Sequence, residues 1–123
     1  MMSNLCFPSF VCVGDCIQWS VDGFDITARV EYDSDARPSD FDCYSDEDNA
    51  RWRDDDWFYC GLVLSVARNG VTLDDHAASL WGIECNITDN NDYLTETAFE
   101  LQSEALDAAR AALARVCAAP ETV

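Results

Sequence analysis

The sequence predicts an α+β domain: a four-stranded antiparallel sheet made of two β-hairpins, with a long C-terminal helix packed on one face. Three observations carry this reading. Asp22-Gly23 and Asn69-Gly70 are each flanked by strand-like runs, and apolar residues recur at helical spacing from Tyr93 to Cys117. With 123 residues and 49% hydrophobic content, the chain can bury one core, and residues 1–123 read as a single domain. No internal repeat, heptad run or interdomain linker interrupts it.

The first hairpin spans residues 11–33. Asp-Gly favours a type I′ turn, which sets Val21 opposite Phe24, Trp19 opposite Ile26 and Ile17 opposite Ala28. Val30 and Tyr32 extend that apolar face. Gln18, Ser20, Asp25, Thr27, Arg29 and Glu31 fall on the other, as expected for a sheet with one wet side. The strand from Trp57 to Arg68 is apolar on both faces, with Phe58, Cys60, Leu62, Leu64 and Val66 on one and Tyr59 and Val63 on the other. It reads as a central strand. Its partner runs from Val71 through Leu73, an irregularity at Asp74-Asp75, and then Leu80, Trp81, Ile83 and Ile87.

A helix of about 25 residues follows, with Asp92 as N-cap and its end before Pro120. Leu94, Ala98, Leu101, Ala105, Ala108, Ala112 and Val116 make its apolar stripe, widened by Leu106 and Leu113. Glu96, Glu100, Glu104 and Asp107 lie opposite, and Arg110 and Arg115 sit toward the C-terminus, where the helix dipole favours them.

Between the hairpins lies an acidic insertion, residues 34–56. It reads as a loop, a short helix begun at Ser45, or both, held down by Phe41, Tyr44, Trp52 and Trp57. From Glu31 to Asp56 there are eleven carboxylates and three arginines, a net charge of -8 in a chain of net -17. The chain has no lysine, and 17 of its 24 acids are aspartates. Such a surface repels polyanions and attracts cationic partners, so direct nucleic-acid binding and anionic membranes are disfavoured.

The first sixteen residues show no basic n-region or cleavage site, and no run approaches the ~18 apolar residues of a membrane span. The seven cysteines are irregularly spaced and read as reduced thiols of a soluble, cytoplasmic protein, with Cys16, Cys60, Cys85 and Cys117 as small hydrophobes in strands and helix. A zinc site on Cys12, Cys16 and His76 or Cys43 lacks the second half of any ligand pairing. Asp33-x-Asp35 and Asp40-x-Asp42 lack the rest of an EF-hand loop. His76 is the lone histidine and has no nucleophile or orienting carboxylate in a recognisable pattern. No nucleotide, dinucleotide or zinc-protease motif occurs, so neither an enzyme nor a cofactor is expected.

The charge itself is then the candidate functional element. Double-stranded DNA carries about one negative charge per ~1.7 Å of axis, and carboxylates at comparable spacing can occupy a site built for phosphates. The candidate partner-binding residues are Glu31, Asp33, Asp35, Asp40, Asp42, Asp46, Glu47, Asp48, Asp54, Asp55 and Asp56, with Glu96, Glu100 and Glu104 on the helix at about 6 Å intervals.

In size, charge and layout the chain resembles the small acidic DNA mimics of phages and plasmids, the anti-CRISPR and antirestriction inhibitors. That resemblance implies a basic nucleic-acid-binding protein or complex as partner, in a bacterial host cell. A CRISPR effector is favoured over a restriction enzyme as the blocked target. Two alternatives stand beside it: an immunity or antitoxin protein blocking a basic nuclease through Asp54 to Asp56 beside Trp52 and Trp57, and a salt-adapted module whose acids only solvate it. The salt-adapted surface should be evenly charged, yet 26 residues hold -8 and the other 97 hold -9. A homodimer would be expected from an exposed apolar patch of Leu5, Phe7, Phe10 and Val11.

Overall fold

In the computed structural model, which describes residues 5–118 and side chains to residue 115, both hairpins close as their turn residues require. Asp22 and Gly23 take φ of 54° and 81°, and Asn69 and Gly70 take 53° and 81°. These paired positive values are the I′ geometry that matches strand twist. β1 (Cys16–Val21) and β2 (Phe24–Tyr32) pair in the expected register, Val21 with Phe24 and Ile17 with Ala28. β3 (Phe58–Arg68) pairs with β2 and with β4 (Val71–Cys85), all antiparallel, in the order β1-β2-β3-β4. The doubly apolar strand is therefore interior, as its pattern demands.

β4 is longer than β3 because it carries extra residues. Cys60 pairs with Ile83 but Leu62 with Leu80, and Leu64 pairs with Ala78 but Val66 with Asp74. The second irregularity accommodates Asp74-Asp75 near the expected place. Ile87 lies beyond the strand. Tyr32, expected on the buried face, is 54% exposed and stacks on Phe58 at 6.1 Å instead.

The long helix is bent. α1 is the short helix described below; α2 (Asp92–Glu100) and α3 (Gln102–Ala118) meet at Leu101. The backbone ladder continues through the bend, with Leu101 N–H donating to Thr97 O and Ala105 N–H to Leu101 O. Trp19 holds both sides: its ring lies 4.5 Å from Phe99, and its indole N–H donates to Gln102 Oε1 at 2.7 Å. Asp92 is the first helical residue and not the N-cap. Asn91 occupies that place, but its side chain makes no capping bond, because it donates to the Pro8 and Ser9 carbonyls and accepts from Asn86 N–H.

The core forms where the helix meets the sheet. Ile26, Ala28, Val30, Leu62, Leu64 and Val66 pack beneath Leu94, Ala98, Ala105 and Ala109, whose small side chains allow close approach. Val116 and Cys117 lie outside the described side chains. Phe7 and Val11 also enter this core, so the proposed N-terminal dimer patch is reduced to Leu5 and Phe10. Asn86 fixes that segment by donating to Val11 O and accepting from Val11 N–H.

Candidate functional site

The acidic connection is folded and docks on the sheet face opposite the helix. A 3-10 turn at Pro38–Asp40, with Pro38 buried, leads to α1 (Asp46–Arg53). The helix starts at Ser45 because a capping box forms there. Ser45 Oγ accepts from Asp48 N–H at 3.1 Å, and Asp48 Oδ2 accepts from Ser45 N–H at 3.3 Å. Asp46, Glu47 and Asp48 then sit at the positive end of the helix dipole.

Aromatic rings attach this unit to β3. Trp57 is fully buried, 5.2 Å from Tyr59 and 5.3 Å from Tyr44, and Phe41 lies 6.3 Å from both Tyr44 and Tyr59. The Trp57 indole N–H donates to Asp48 O at 2.9 Å, tying the cluster to α1. Trp52 is half-buried outside this cluster. Tyr44 O–H donates to Glu84 of β4. Burial and that bond to a carboxylate push the Tyr44 phenol well above its ordinary range, and burial raises Tyr59, whose hydroxyl has no hydrogen-bond partner. Arg51 donates to the carbonyls of Ile87 and Asn86, so its cation is directed at backbone and not at the neighbouring acids.

The end of α1 is chemically unusual. Asp54 caps it, Asp55 adopts φ of 64°, and Asp56 N–H donates back to Arg51 O at 2.9 Å. This is the Schellman arrangement, in which glycine is the ordinary residue at the left-handed position. Three exposed carboxylates thus stand at a helix C-terminus, where the dipole disfavours them, and one stands on left-handed backbone.

Of the fourteen residues expected to bind a partner, eleven are exposed. Three serve the fold as well. Asp33 is buried and accepts from Asp35 N–H and Gly82 N–H, both at 2.9 Å; Asp48 caps α1; Glu31 pairs with Arg29 at 2.6 Å. Among the described residues the other ion pair is Arg110 with Asp22, so Asp35 to Asp56 carry no paired carboxylate. The structure gathers the acids of the connection on one sheet face and leaves Glu96, Glu100 and Glu104 with the helix on the other. The two groups do not form one patch.

No protein-family model matches the chain, and no curated protein or solved structure is significantly similar to it. Function is therefore argued from the site alone.

Among the described residues no three His, Cys, Asp or Glu side chains converge as metal ligands, and Cys12, Cys16, Cys43 and His76 are all exposed. Cys60 and Cys85 are buried with sulfurs 2.8 Å apart; the bond between them and their burial hold the Cys60 thiol protonated and unreactive. No described helix is long and apolar enough to cross a membrane.

Sequence reasoning missed one feature. Leu80, Trp81 and Tyr93 are 42%, 43% and 60% exposed and flank a groove beside the outer edge of β4. The available signal was Gly82, a glycine inside a strand pattern, which marks a bulge. Its φ of 76° turns the chain, and the Trp81 indole lies over Gly61, where an added Cβ would come within 2.1 Å of the ring.

Proposed function

We propose that this chain is an inhibitor that occludes a basic nucleic-acid-binding surface of a bacterial defence enzyme by presenting carboxylates in place of phosphates. A CRISPR effector is the favoured target and a restriction enzyme the second. The observation that carries the reading is the Asp54-Asp55-Asp56 triad: exposed, unpaired, and placed at a helix C-terminus where the dipole disfavours it, with Asp55 also on left-handed backbone. All three hold charge where the fold gains no stability from it. The capping box and aromatic cluster support the same reading, because they hold the charges in a fixed arrangement and lower the entropy lost on binding.

Acids carried by the connection alone, without those of the helix, also fit the smaller basic active site of a nuclease. This keeps the immunity or antitoxin reading as the second choice.

The test is retention of a bacterial nucleic-acid-binding protein on the immobilised chain after nuclease treatment, followed by elution with rising salt. Asp54→Arg, Asp55→Arg and Asp56→Arg together should abolish that retention while leaving the thermal midpoint equal or higher, since cations suit a helix C-terminus. Elution should come early in the salt gradient, because steered ion pairing is screened. Undiminished retention by the triple variant would remove the triad from the mechanism, and salt-resistant retention would remove charge.

A further inference from the structure

We infer that the groove beside β4 is a second recognition element, which takes an extended, cationic segment of the basic partner as an added strand. Ala77 to Ile83 carries no charge, and β4 ends the sheet, so among the described residues its outer backbone edge has no strand partner. Natural edge strands are shielded by charges against such pairing, and here Asp74, Asp75 and Glu84 bracket the segment without covering it. The groove holds about 530 Å³ and is lined chiefly by Leu80, Trp81, Ile83, Ile87, Tyr93 and Leu94. Exposed Trp and Tyr beside an open strand edge are the side chains that anchor added strands and dominate interface energetics.

Charge selects the occupant. Among the described residues Glu84, whose carboxylate also accepts from Tyr44 O–H, is the only charged one lining the groove. Asp33 bonds to its Gly82, and Asp92 and Glu96 stand on the first turns of α2 beside Tyr93. Arg51, which reaches the groove residue Ile87, is engaged by the carbonyls of Asn86 and Ile87. A second copy of this chain would bring another net -17 to the edge. A strand alternating arginine with apolar side chains would instead place its apolar side chains on one face, against Leu80 and Tyr93, and its cations on the other, toward Glu84. The inference rests on the basic-partner reading for the occupant's charge and adds to it an apolar anchor and a backbone mode of pairing.

The probe is a synthetic peptide of about eight residues alternating arginine and valine, titrated into the full chain at low salt. It should shift the amide resonances of Ala77 to Cys85 and alter Trp81 emission. Leu80→Asp adds a negative charge, so a purely electrostatic site would bind the peptide more tightly; an apolar anchor predicts binding weaker by about tenfold or more. Tyr93→Ala should weaken it similarly. Both positions are exposed, and thermal unfolding verifies that both variants fold. A proline-substituted peptide, which cannot pair with the edge, should fail on the native chain and requires no variant.

Peptide binding that leaves Ala77 to Cys85 unshifted, or is undiminished in Leu80→Asp but lost in the Asp54, Asp55 and Asp56 variant, would overturn the groove and leave the acidic reading standing. Equal binding of a glutamate-for-arginine peptide would overturn the cationic occupant together with that reading. A dimer of the native chain, seen by sedimentation and dissolved by Leu80→Asp, would assign the groove to a second copy and overturn the proposal.

Discussion

Asp55 places a β-carbon on left-handed backbone, φ of 64°, at the position after a helix cap. An L-residue there costs about 1–2 kcal/mol relative to right-handed backbone, and glycine removes the clash. Asp55→Gly should therefore raise stability by about 1 kcal/mol in chemical denaturation, while weakening partner retention through the loss of one carboxylate. A fall in stability would mean that Asp55 makes a favourable interaction that outweighs its backbone. The acids themselves were plain in the sequence; their backbone setting was not, because nothing in Asp54-Asp55-Asp56 announces a Schellman turn without glycine. Asn86 and Asn91 were equally illegible. Both are buried, and their amides fasten the chain from Pro8 to Val11 to the helix start. A side-chain amide that bonds a distant backbone leaves no periodic trace.

The acidic connection is an element of its own, and its attachment to the sheet depends on neutral phenols. Tyr44 and Tyr59 have folded pKa values raised above the unfolded value of 10.0 by burial first, and for Tyr44 also by the bond to Glu84. A raised pKa means that the folded state binds the proton more tightly, so this stabilisation is complete below about pH 10 and is lost as the pH climbs above it. Thermal midpoints should thus fall above about pH 10, and the part of the tyrosinate absorbance that Tyr44→Phe removes should appear late and together with unfolding. Tyr44→Phe should lose the bond to Glu84 at neutral pH and show a shallower alkaline decline. An unchanged alkaline slope in that variant would detach Tyr44 from the docking. Ser45 as one possible helix start and Phe41, Tyr44 and Trp57 as anchors were legible, since a capping residue and rings in a polar run are local signals, whereas Trp52, expected among the anchors, lies outside the cluster. The docked face was not, because the pleat tells which residues share a side and leaves open which segment covers it.

At the scale of the molecule, strong I′ turns and strict alternation made the two hairpins, the interior strand and the first hairpin's register readable, whereas the extra residues in β4 and the bend at Leu101 arise from packing between elements. Charge distribution is also a whole-molecule property, and it separates the favoured reading from a salt-adapted surface. Net -17 repels itself, and ordered carboxylates repel most where they are densest, so added salt should raise the thermal midpoint modestly. A core of tightly packed strand and helix side chains, with Trp57, Leu62 and Leu64 fully buried, supplies the opposing stabilisation without help from ions. The chain should consequently stay folded at low ionic strength, where its affinity for a basic partner is greatest, and lose that affinity as salt rises. Circular dichroism and partner binding measured across one salt series test both halves together. A salt-adapted module gives the opposite pairing, unfolding at low salt with no partner to lose, and that result would end the mimic reading however many carboxylates remain exposed.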